Sequence, residues 1–126
     1  MIKLIIADDH PIVREGLKQI IAESPYFVVS DEASNGNELL NKVREKDLDV
    51  ILLDLKMPGM NGLEFLGAAR EQSPDTVLIM MTAFGTVETA VEAMKRGAYD
   101  YLTKPFDTEE LVLILERLTE RQEILE

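Results

Sequence analysis

The chain has 126 residues, enough to close one hydrophobic core without disulfide or metal staples. Its 24 acidic against 13 basic residues leave a net charge of −11, which opposes direct binding of this domain to nucleic acid or to an anionic membrane surface. The absence of cysteine excludes a disulfide scaffold, a zinc-thiolate site and cysteine catalysis, and with no apolar run of about 18 residues and no signal-peptide pattern the expectation is a soluble cytoplasmic protein.

Apolar runs of strand length alternate with helical periodicity five times, the pattern of βα units around a parallel sheet. The first strand is expected near 2–7, where Leu4-Ile5-Ile6-Ala7 runs into Asp8-Asp9. A helix near 11–23 follows, with Pro11 near its start and Ile12, Leu17, Ile20 and Ile21 on one face. A strand near 27–32 and a helix near 36–46 come next, joined through Asn35-Gly36. The third strand, near 49–54, carries Val50-Ile51-Leu52-Leu53 into Asp54, and the turn Met57-Pro58-Gly59-Met60-Asn61-Gly62 leads to a helix near 62–72. Ser73-Pro74-Asp75 precedes a strand near 76–82, in which Val77-Leu78-Ile79-Met80-Met81 delivers Thr82. A helix near 86–96 and Arg96-Gly97 lead to a strand near 99–102 and to Thr103, Lys104 and Pro105. The last helix, near 107–121, opens with Asp107-Thr108-Glu109-Glu110, an acidic variant of the capping box. The first, third and fourth strands are apolar throughout, as strands covered on both faces should be. Residues 1–122 read as one domain. Leu111, Leu118 and Leu125 keep a seven-residue spacing, so residues 123–126 read either as the start of a linker helix or as a fraying charged end.

In an open parallel sheet, Asp8, Asp9, Asp54, Thr82 and Lys104 converge at the carboxyl edge, where ligands of such folds bind. Two carboxylates brought within ~5 Å repel by roughly 3 kcal/mol at an effective dielectric of about 20. A hard divalent cation, Mg²⁺ or Mn²⁺, is the natural compensation. Asp54, alone at the end of the most hydrophobic strand, is the candidate nucleophile, able to take a phosphoryl group as an acyl phosphate. Lys104 could pair with a carboxylate at rest and a phosphoryl oxygen afterwards, and Thr82 could donate to another oxygen. Taken singly, Lys104 would more often be a surface lysine and Thr82 an ordinary strand-end threonine. His10, the single histidine, reads as part of the turn into the first helix rather than as a ligand.

Four motifs in order, Ile6-Ala7-Asp8-Asp9-His10, Leu53-Asp54-Leu55-Lys56-Met57-Pro58-Gly59-Met60-Asn61-Gly62, Thr82-Ala83 and Tyr101-Leu102-Thr103-Lys104-Pro105-Phe106, resemble the receiver domain of two-component response regulators. The resemblance implies a flavodoxin-like (βα)5 fold with a doubly wound sheet in the order 2-1-3-4-5. It implies phosphorylation of Asp54 from a phosphohistidine of a sensor kinase or phosphotransfer protein, with self-catalysed transfer and autodephosphorylation. Mg²⁺ would be held by Asp9, Asp54 and the main-chain carbonyl of Lys56, with Asp8 acting through water. Thr82 and Tyr101 would be paired switch residues, Ala83 would leave space beside the acyl phosphate, and Lys104 would precede a cis Pro105. The fourth helix, fifth strand and fifth helix would form the regulated surface and a homodimer contact, with Ala90, Met94, Ala98 and Tyr101 supplying small and apolar groups.

Two parts of the chain resemble different receivers. Asp8-Asp9-His10-Pro11-Ile12-Val13-Arg14-Glu15-Gly16-Leu17 is similar to receivers attached to helix-turn-helix DNA-binding domains, whereas the stretches from Thr82 to Val91 and from Gly97 to Asp107 are similar to receivers that control enhancer-binding ATPases. A natural mosaic and an engineered chimera both produce such a pattern. Two other functions fit the alternation less well. An aspartate-nucleophile phosphatase would want a second acid two residues after the nucleophile, where Lys56 stands, and a flavodoxin-like nucleotide module would want a phosphate-cradling loop where Asp8-Asp9-His10 stands.

Overall fold

The computed structural model describes residues 1–45, 47–82, 87–105 and 107–120. Five strands, β1 (Ile2–Ala7), β2 (Phe27–Ala33), β3 (Val50–Asp54), β4 (Val77–Thr82) and β5 (Asp100–Thr103), form one parallel sheet in the order β2-β1-β3-β4-β5. The intervening helices are α1 (Pro11–Ala22), α2 (Gly36–Glu45), α3 (Gly62–Gln72), α4 (Val87–Lys95) and α5 (Thr108–Thr119). The expected α/β class, the five helices and the strand order are all found. Residues 83–86, 106 and 121–126 lie outside the described residues, and with them Ala83, Phe106, Leu125 and the expected boundary after residue 122.

Side chains alternate across a strand, so each central strand feeds two cores. Leu4, Ile6, Val50, Leu52, Val77, Ile79 and Met81 pack on one face with Leu17 and Ile21 of α1 and Leu111, Ile114, Leu115 and Leu118 of α5. Ile5, Ala7, Ile51, Leu53, Leu78 and Met80 pack on the other with Leu39 of α2, Phe65, Leu66 and Ala69 of α3 and Ala93 of α4. Burial of each such Leu or Ile contributes about 1.5–3 kcal/mol, which is why these three strands are central, although Lys3 interrupts the apolar run expected for β1 and lies exposed near its start. The edge strands are mixed: β2 carries Ser30, Asp31 and Glu32, all half-buried.

Two local expectations are corrected and a third is refined. Ile12 is 87% exposed, and the inward face of α1 is formed by Val13, Leu17, Ile20 and Ile21. Ile12 stands five residues before Leu17, a rotation of about 140° at 3.6 residues per turn, and so points away. Asp107 has the extended backbone of an N-cap, but its side chain makes no capping hydrogen bond. The turn after Asp54 is a small antiparallel hairpin, Lys56–Met57 against Met60–Asn61, with Gly59 at φ 75° at its tip. Among the described residues no helix is long and apolar enough to cross a membrane.

Candidate functional site

All five convergent residues sit at the carboxyl edge of the sheet. Asp8 follows β1, its N–H donating to the Ala33 carbonyl at 3.0 Å, and its side chain is fully buried. Asp54 closes β3 and Thr82 closes β4, both buried. Lys104 follows β5, where its main-chain N–H donates to the Thr82 carbonyl at 2.7 Å, and the Lys104–Pro105 peptide is cis. Its ammonium forms an ion pair with Asp8 and lies 3.4 Å from Asp54 Oδ2. One cation therefore faces two buried carboxylates.

Asp8, Asp9, His10 and Asp54 each offer a ligand atom within 4.8 Å of the others. The His10 main-chain N–H donates to Asp8 Oδ1 at 2.9 Å, and ring Nδ1 lies 2.9 Å from the same oxygen. Nδ1 also stands 3.0 Å from Asp9 Oδ1. Nδ1 carries at most one hydrogen and so cannot serve both oxygens, and Asp9 Oδ1 is buried without a hydrogen-bond partner among the described residues. The structure thus turns the ring of His10, read from the sequence only as a turn residue, onto the acid pair. Burial pushes the carboxyl of Asp54 above the ordinary aspartate range; Lys104 opposes this and Asp8 adds to it. An orphaned carboxylate oxygen beside two further acids suits a hard cation that prefers oxygen ligands, so the residues present fit Mg²⁺ or Mn²⁺.

The hairpin after β3 completes the edge. Leu55 N–H donates to the Met81 carbonyl at 2.7 Å and Gly62 N–H to the Leu55 carbonyl at 3.1 Å, folding the loop back beneath the end of β3. A Cβ at Gly62 would stand 2.8 Å from the Leu55 carbonyl oxygen, so only glycine fits this approach. Lys56 N–H then donates to Asp54 Oδ1 at 3.3 Å. An open cleft of about 640 Å³ lies between Asp9 and this hairpin, lined also by Leu55, Lys56, Met57, Pro58, Asn61 and Leu63.

Tyr101 packs its half-buried ring on the core that holds α4, with its hydroxyl buried and without a hydrogen-bond partner among the described residues. Burial raises its pKa. Ala98 is buried in the same core and so cannot serve as a surface contact, whereas Val91 and Met94 of α4 are nearly half exposed. Arg14, which no sequence motif singled out, also reaches the site. Its Nη1 donates to the Asp8 carbonyl at 2.6 Å. A cation near the start of a helix, where the dipole disfavours it, beside an acidic pair was the available signal.

The chain matches the family described as Response regulator receiver domain over residues 4–116. It is 40% identical over 122 residues to the nitrate/nitrite response regulator protein NarL of Escherichia coli (strain K12), covering 97% of this chain and 56% of NarL, so it spans about half of that relative's length. It is 38% identical over 117 residues to the chemotaxis protein CheY of Listeria monocytogenes, covering 93% of this chain and 98% of CheY. Among solved structures, the beryllofluoride-activated NtrC4 receiver domain dimer superposes with a TM-score of 0.87 at 37% identity, covering 95% of this chain and 98% of that one. Both types of receiver that the two parts of the sequence resemble are thus among its relatives.

Proposed function

The chain belongs to the response regulator receiver domains, and from that membership we propose that it is a cytoplasmic switch phosphorylated on Asp54 by a sensor histidine kinase or phosphotransfer protein. The observation that carries this reading is the burial of Asp54 at the end of β3, within 3.4 Å of Lys104 and in one cluster with Asp8 and Asp9. Asp9, Asp54 and the Lys56 carbonyl would hold Mg²⁺ or Mn²⁺, with Asp8 acting through water. A cation held there would supply charge neutralisation for the incoming phosphoryl group.

A carboxylate oxygen of Asp54 attacks phosphorus, an O–P bond forms as the P–N bond of the donor phosphohistidine breaks, and the electron pair leaves on the imidazole. Lys104, already between Asp8 and Asp54, exchanges its carboxylate contact for a phosphoryl oxygen. Thr82 directs its hydroxyl to another oxygen, and Tyr101 responds as its switch partner. The α4, β5 and α5 side of the molecule carries the response, through an exposed α4 face that includes Val91 and Met94. Two copies pair there in the active state, a reading supported by the dimer of the activated NtrC4 receiver.

The test is intact mass after incubation with acetyl phosphate and Mg²⁺. Wild type should gain a single phosphoryl group that is lost in alkali, and Asp54→Asn should gain none. An adduct that persists in Asp54→Asn, without relocation to a neighbouring hydroxyl, overturns the assignment.

A further inference from the structure

Arg14 is the fourth residue of α1, yet its side chain reaches back under the turn that carries the acids. Nη1 donates to the Asp8 carbonyl at 2.6 Å and Nε to Glu32 Oε1 on β2 at 3.2 Å, with the side chain only 18% exposed. Glu32 is itself held by Lys18 Nζ at 3.0 Å. Its carboxyl lies below the ordinary range, chiefly through the Lys18 hydrogen bond, with Arg14 adding to it. The β1–β2 register shifts between Leu4 and Ile5, leaving Ser30 unpaired in the ladder and setting Glu32 opposite Ile6, near the end of β1. Bulges of this kind re-aim side chains beside functional sites.

Asp8 is consequently held on both sides of its backbone, by the Ala33 carbonyl at its N–H and by Arg14 at its carbonyl. The next peptide unit begins at that carbonyl, and Asp9 projects from it. We propose that Arg14 is a positioning residue for the cation site: anchored on Glu32, it fixes the peptide between Asp8 and Asp9 and so preorganises the Asp9 carboxylate. The planar guanidinium spans two acceptors at once, which a lysine ammonium on the same path does not reproduce. The role rests on the cation site proposed above.

The experiment titrates Mg²⁺ into the full chain as wild type, Arg14→Ala, Arg14→Lys and Glu32→Gln, following amide NMR shifts, with metal-free thermal midpoints measured alongside. Arg14→Ala should weaken Mg²⁺ binding about 10-fold, the low end for residues that orient ligands from behind. Arg14→Lys should recover only part of it, and Glu32→Gln, which keeps an acceptor for Nε, should lose less than Arg14→Ala. A lowered thermal midpoint with unchanged Mg²⁺ affinity in Arg14→Ala is the mark of a merely structural role and overturns the proposal. Full affinity in Arg14→Lys overturns it as well, since a point charge would then suffice. If Arg14→Ala does not fold, the comparison passes to Arg14→Lys and Glu32→Gln, and wild-type affinity in both has the same effect. Wild type that binds no Mg²⁺ removes the cation site and this role together, whereas wild type that binds and variants that bind equally remove the role alone.

Discussion

Asp54 lies buried with its carboxyl raised above the ordinary range, first by burial, with Lys104 pulling down and Asp8 pushing up. A carboxyl with a raised folded-state pKa takes up a proton on folding. Stability therefore falls as pH rises from the unfolded value, about 3.9, through the folded one, and the full penalty remains above it. Asparagine carries no such penalty. Without metal, Asp54→Asn should melt above wild type at neutral pH, and the gap should shrink as the pH is lowered through that window; thermal scans at several pH values check both. A gap independent of pH would mean that charge is not its source. Tyr101 offers a second residue-scale case. Its hydroxyl is buried with no hydrogen-bond partner among the described residues, and removing an unsatisfied group is neutral or stabilising. Tyr101→Phe should therefore leave the urea midpoint of the unphosphorylated chain unchanged or raise it. A loss above about 1 kcal/mol, the typical net value of a hydrogen bond, would reveal a partner for that hydroxyl.

At the scale of elements, the hairpin after β3 connects backbone geometry to the site. Its return depends on Gly62, where a Cβ would meet the Leu55 backbone at 2.8 and 2.9 Å, contacts that no flexible side chain can relieve. Gly62→Ala should lower stability by about 1–3 kcal/mol, the range for overpacking, and shift Lys56 away from Asp54. Urea unfolding reads the first effect, and the Lys56 amide signal, whose N–H donates to Asp54 Oδ1, reads the second. An alanine variant with wild-type stability and an unmoved Lys56 amide would show that the loop accommodates a side chain. The first helix teaches a related point. Pro11 starts it and Leu17 and Ile21 bury it, while Ile12 stays in solvent beside the acidic turn, because a helix admits only part of its circumference to one core.

For the whole molecule, the site and the α4 side are joined through one pair of strands. Lys104 and Tyr101 flank two residues of the same short strand, and β5 pairs with β4 from Ile79 to Thr82. On the proposed mechanism, a phosphoryl mimic that draws on Thr82 and Lys104 would have differential contacts with two states of this side of the molecule, the requirement for a population shift. Beryllofluoride with Mg²⁺ should perturb amide signals of Thr82 and of 87–105 far more than those of α2. Equal perturbation of α2 would mark a nonspecific effect and remove the α4 side as the regulated surface.

The alternation of strand-length runs with helical periodicity, and the four runs that end in Asp8-Asp9, Asp54, Thr82 and Thr103-Lys104, were sufficient to read the α/β class and the edge at which Asp8, Asp9, Asp54, Thr82 and Lys104 meet. That legibility has a plain cause: central strands covered on both faces must be apolar throughout, and a parallel sheet brings all their carboxyl ends to one side. What the chain spacing left open was decided by packing. It exposed Ile12, because helix rotation against the sheet is fixed by the facing side chains rather than by one helix's own pattern, and it buried Ala98 in the connection between α4 and β5. It turned His10 onto Asp8, and it joined Arg14 to Glu32 across 18 residues through a register shift in an edge strand. Contacts of that kind depend on how two elements approach in space, and periodicity along either one carries no record of it.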